Sequence, residues 1–139
     1  MAGRIKPIGE GPISKTRKGP QQKHRVVDEK HLAFIRTLPC CVTGKNGCVA
    51  HHLTVGRNRM GRKAGDDETV PLLPKMHDGF PGSLHSIGES NFWNRAGIDP
   101  SQLAEALYRE TGDYARCVTE IRALAAAAQV RKARGAKVF

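Results

Sequence analysis

Four of the six histidines in this 139-residue chain, His51, His52, His77 and His85, fall between residues 51 and 85. Two tasks suit such a set. A neutral imidazole accepts a proton from an attacking water. Further imidazoles hold a divalent ion, which neutralises charge on a phosphate and on the oxygen that leaves it. Any one of these residues, taken alone, has an ordinary alternative as a packed or solvated histidine. The grouping carries the expectation, not its members singly.

The elements that must position these residues are short. Val49 to Val55 is expected to form a strand after a turn at Lys45-Asn46-Gly47. Residues 56–68, GRNRMGRKAGDDE, read as a loop rich in glycine and charge, and Thr69 to Leu73 as a second strand. Gly79, Pro81 and Gly82 interrupt any helix that starts near Pro74. His77 and His85 are eight residues apart, whereas two ligands on one helical face are normally four apart, so their rings must meet through a loop excursion. The alternative for His85 is a capping or packing role.

Helices are expected on both sides. Asp28 is a natural N-cap for a helix that buries Leu32 and Ile35 and stops before Pro39. Phe92 and Trp93 belong on the inner face of a later helix ending at Gly97. Asp99-Pro100 starts another helix, running to Gly112 with Leu103 and Leu107 inside. Asp113 caps a last, alanine-rich helix with Cys117, Ile121 and Leu124 at helical spacing and a basic C-terminal end.

Charge indicates the partner. The net charge is +10, of which residues 1–25 carry +6 and residues 121–139 carry +5, leaving the middle at −1. Basic ends on a neutral body suit a phosphate backbone, since Lys and Arg displace its condensed counterions. Solubilising tails are the alternative. Residues 1–26 hold seven glycines and prolines and few apolar positions, as expected for a disordered basic arm. Arg57, Arg59, Arg62 and Lys63 in the glycine-rich loop are candidate phosphate contacts, the alternative being a solvated loop. No apolar stretch approaches membrane-spanning length and no leader-like apolar run opens the chain, so a cytoplasmic protein with reduced thiols and no membrane partner is expected.

Several segments together match a family pattern: HLAFIRTLPCCVTG at 31–44, AHHL at 50–53, MGRKAGDDETVPL at 60–72, His77 within PLLPKMH, and LHSIGESNFWNRAGIDP at 84–100. In that order the chain resembles a phage and prophage group of HNH-like domains related to the recombination-enhancement (Ref) nuclease. The resemblance implies an α+β fold, with a small ββα-metal core, additional helices on its C-terminal side and the disordered arm before it. The corresponding division is 1–26 arm, 27–112 nuclease-like domain and 113–139 C-terminal helix. It further implies a metal-dependent DNA endonuclease in a bacterial host cytoplasm, acting in recombination or DNA processing, with a host recombinase filament as a candidate partner.

Residue by residue, His52, followed by Leu53, falls on the general base. His51, His77 and His85 fall on metal ligands. Asp66, in the element that includes Lys63, stands where the family's asparagine is usual and is expected to brace the loop or orient His52. The ion expected is Mg²⁺ or Mn²⁺, with a catalytic Zn²⁺ as the alternative. Relatives often carry a structural zinc on paired cysteines. Here Thr43 stands where the first pair needs its second cysteine, and Leu73 and Met76 stand in the places of the other pair, so no structural zinc is expected. Cys40, Cys41 and Cys48 are then small core residues. His31 lies outside the cluster and serves as the natural control for substitutions within it. The rival to an enzyme is a non-catalytic DNA-binding or recombination-accessory module on the same fold.

Overall fold

The computed structural model describes residues 25–55 and 64–134. The candidate phosphate contacts Arg57, Arg59, Arg62 and Lys63, nearly all of the N-terminal arm and residues 135–139 lie outside the described residues. Among the described residues, six helices surround one two-stranded sheet, which makes this a small α+β domain.

Helix α1, Glu29–Thr37, starts where the Asp28 side chain accepts a hydrogen bond from the His31 backbone N–H at 3.0 Å. Capping satisfies one of the N–H groups that a helix start leaves without a partner. The helix buries Leu32 and Ile35, and it ends at Leu38, whose extended backbone is what the following Pro39 demands. A tight turn comes next, in which Cys40 Sγ accepts the N–H groups of Val42 and Thr43 at 3.4 and 3.5 Å. Cys40, Cys41 and Cys48 are all buried in the hydrophobic core. Burial raises the Cys41 thiol well above its ordinary pKa and pushes Cys48 up to about 12. Both stay protonated and inert at neutral pH.

Strands β1, Val49–His52, and β2, Thr69–Leu72, pair antiparallel, with His51 opposite Val70 and His52 opposite Thr69. The strand expected to reach Val55 therefore ends at His52. From there the chain turns away, and Thr54 binds a carboxylate through its side chain and its backbone N–H. Among the described residues the sheet has two strands, so Pro71 in β2 costs no central ladder a donor, and its carbonyl accepts the Cys41 N–H at 3.1 Å.

After β2 come two single-turn helices, α2 (Pro74–His77) and α3 (Leu84–Ile87), separated by a glycine–proline turn. Helix α4, Glu89–Ala96, buries Phe92 and Trp93 and ends on Gly97 in the left-handed region at φ 78°. Helix α5, Pro100–Arg109, is capped by Asp99, whose side chain accepts from Ser101 N and Gln102 N. It ends one turn short of Gly112, the terminus its sequence suggests. Helix α6, Tyr114–Arg134, begins after Asp113, whose side chain accepts from Arg116 N, and enters the core through Cys117, Ile121 and Ala128.

Two close approaches lock these pieces. A Cβ on Gly97 would meet Ala128 Cβ at 3.1 Å, and Arg131 donates to Gly97 O at 2.8 Å, so α6 docks against the end of α4. A Cβ on Gly65 would meet Asp67 Oδ1 at 2.5 Å and Val26 N at 3.0 Å. Val26, counted in the arm by composition, accepts a backbone hydrogen bond from Asp66 at 2.9 Å and so belongs to the folded body.

Candidate functional site

The adjacent histidines of β1 engage separate carboxylates, because successive strand side chains point to opposite faces. His52 Nε2 lies 2.8 Å from Asp66 Oδ1, and its side chain keeps 39 % of its surface in solvent. Asp66 is buried, and its other oxygen, Oδ2, accepts the Asp28 backbone N–H at 2.8 Å. Burial alone would raise the Asp66 pKa. Hydrogen bonds from His52 and the Asp28 amide, with the charges of His52 and Arg25, lower it instead. An ionised Asp66 can only accept, so the neutral His52 ring carries its proton on Nε2 and presents a lone pair on Nδ1.

His51 points the other way, into the protein, at 6 % exposure. Its Nε2 is 2.9 Å from Glu89 Oε2. The same oxygen accepts Trp93 Nε1 at 2.9 Å, and Oε1 accepts both the N–H of Thr54, at 3.0 Å, and its hydroxyl. Burial would raise the Glu89 pKa, but the hydrogen bonds from His51, Thr54 and Trp93 bring it down to about 2.

The eight-residue step between the two later histidines is bridged by the glycine–proline turn. The ring centroids of His77 and His85 are 4.5 Å apart, and those of His51 and His77 are 4.9 Å apart. The three imidazoles form a row from the buried His51 through the half-buried His77 to the exposed His85. Burial, followed by the neighbouring His51 and His85, lowers the His77 pKa and favours the neutral ring a metal requires. The rings meet edge to face. Among the described residues no three His, Cys, Asp or Glu side chains already converge on one ion position. The donor types nevertheless suit a divalent ion, since three imidazoles stand in one row with centroids 4.9 and 4.5 Å apart.

Glu89 and Thr54 are absent from the sequence-derived set. A signal for Glu89 exists: it stands four residues before Trp93 on one helical face, and it closes the segment His85-Ser86-Ile87-Gly88-Glu89. His31 does lie outside the cluster, but it is no neutral control. It is fully buried, its Nδ1 is 2.8 Å from Thr111 Oγ1, and Tyr108 packs edge-on against it. Its removal acts through stability.

Fold and site together define a small α+β domain with two histidine–carboxylate pairs and a row of three imidazoles. The chain belongs to a family described as proteins of unknown function, DUF968, whose pattern matches residues 10–108. Helix α6 follows the matched region. No curated protein and no solved structure matches the chain. Among the described residues no helix is long and apolar enough to cross a membrane.

Proposed function

We propose that this protein is a metal-dependent endonuclease of the HNH type that hydrolyses phosphodiesters in DNA. The observation that carries the reading is the pairing of His52 with a buried, ionised Asp66, on the strand residue next to His51, which opens the row with His77 and His85. The two short antiparallel strands, with a histidine-bearing turn of helix after them, support a ββα-metal core.

In this reading His52 Nδ1 removes a proton from water as its oxygen bonds to phosphorus. The bond from phosphorus to the leaving deoxyribose oxygen breaks, and solvent returns a proton to that oxygen. Asp66 holds Nε2–H and stabilises the imidazolium that forms, while its bond to the Asp28 amide fixes the carboxylate against the start of α1. His51, His77 and His85 would hold the divalent ion, which supplies charge neutralisation at the phosphate. Asp66 and Glu89 are both committed to histidines, so the donors of the row itself are imidazoles. Nitrogen donors rank Mn²⁺ and Zn²⁺ ahead of Mg²⁺, which prefers oxygen.

The test is incubation of the pure protein with supercoiled plasmid and with single-stranded circles, in Mg²⁺, Mn²⁺, Zn²⁺ or EDTA. Cleavage with an ion and none in EDTA is the expected result. DNA binding without cleavage under every ion would overturn the nuclease and leave the binding module in its place.

A further inference from the structure

We infer that Glu89 is a positioning residue, which locks His51 in the Nε2–H tautomer so that Nδ1 is the only lone pair this ring offers a metal. The inference rests on the nuclease reading above and deepens its metal site.

The argument starts from the donors around one buried carboxylate. Glu89 is 9 % exposed and receives four hydrogen bonds, from His51 Nε2, Trp93 Nε1, Thr54 N and Thr54 Oγ1. Indole and amide N–H groups can only donate, so the site is built for a group that accepts in every direction. The histidine nitrogen facing it must therefore be the protonated one. Glu89 is also unsuited to bind the ion itself, because both its oxygens are engaged. A partner on the far nitrogen of a ligating histidine fixes the ring and makes it a better donor.

The surrounding elements make the lock rigid. Trp93, fully buried, is one helical turn from Glu89 on α4, and Thr54 lies two residues past the end of β1. The carboxylate thus ties the histidine strand to the core helix, and the orientation of His51 is set by packing rather than by the ion. Glutamine in its place loses the charge and turns an amide N–H₂ toward an N–H donor whichever way it flips, Thr54 N in one orientation and Trp93 Nε1 in the other, so it preserves shape and weakens the lock.

The test uses the full chain and two readouts that do not depend on cleavage. Nitrogen-15 spectra of the metal-free wild type above neutral pH should show His51 protonated on Nε2 and bare on Nδ1. Titration with Mn²⁺, repeated with Zn²⁺, should show Glu89→Gln binding about 10–100-fold more weakly. Trp93→Phe removes one bond to Glu89 and some packing but leaves the pairing with His51. It should lower thermal stability and keep Mn²⁺ affinity within about threefold, well short of the roughly 10–100-fold loss expected for a broken histidine partner. A His51 ring protonated on Nδ1 would overturn the inference. So would a folded Glu89→Gln that binds Mn²⁺ like wild type, or Trp93→Phe weakening affinity as much as Glu89→Gln. Failure of the underlying reading looks different: a wild type with the expected tautomer that binds neither ion overturns the metal site and this role together.

Discussion

At the scale of single residues, the adjacent histidines of β1 make different demands. His52 is half-exposed and held from behind by Asp66, as a base that must meet a solvent-borne substrate would be. His52→Ala should leave DNA binding near normal while cleavage falls by at least about 100-fold, the lower end of a general base's contribution. Asp66→Asn retains the shape but offers the ring an ambiguous partner, so cleavage should fall with little change in binding. His77→Ala should also abolish cleavage, with partial recovery at higher Mn²⁺ if the loss runs through the ion. Cleavage that survives in His52→Ala would move the role of base to His51.

At the scale of elements, the segment carrying Asp66 is threaded against the residues before α1. Gly65 has no room for a side chain, because Asp67 and the Val26 backbone occupy that space. Gly65→Ala should therefore displace Asp66 and lower the cleavage rate by about tenfold or more, as a small misplacement near the chemistry does. Thermal melts beside turnover rates would separate this from simple unfolding. Helix α1 contributes a pH dependence of its own. Burial lowers the His31 pKa below its ordinary 6.5, the largest influence, against the opposing charges of Asp28, Asp66 and Asp67. Below about 6.5 the unfolded chain takes up a proton that the folded chain refuses, so stability falls as the pH drops. His31→Gln should be less stable at neutral pH, with a flatter stability slope as the pH falls below about 6.5, measured from denaturant midpoints. Glu89 has the same sign in a lower window. Its contribution is full above its ordinary 4.5 and disappears as the pH falls toward about 2.

At the scale of the whole molecule, α6 closes the core from outside the family-matched region, and its docking point is one glycine. Gly97→Ala places a side chain in a left-handed conformation and against Ala128 at once. The cost should be about 2 kcal/mol or more, read as a lowered melting temperature. Charge belongs to this scale as well. Deleting residues 1–24, and stopping short of Val26, removes six Lys/Arg while sparing the backbone bond to Asp66. DNA affinity should drop and its log–log salt slope flatten by about 0.9 for each phosphate that the arm neutralises, with melting little changed. An unchanged slope would make the arm a solubilising tail.

Local chemistry sufficed for what is local. Asp28, Asp99 and Asp113 cap their helices because an aspartate before a helical run accepts orphan N–H groups wherever it occurs. Gly97 ends α4, and the glycine–proline turn splits α2 from α3, for equally short-range reasons. The buried cysteines and the inward Phe92 and Trp93 follow from side-chain type. Tertiary structure decided everything that depends on distance. It brought His85 onto His77 across eight residues and His51 onto both, which spacing alone left open. It divided two neighbouring histidines between Asp66 and Glu89, residues 14 and 38 positions away from their partners, and no periodicity encodes such a choice. It also buried His31 against Thr111, 80 residues distant, where sequence alone saw a bystander. A strand fixes which way each side chain points, but only the packed fold fixes what stands there to meet it.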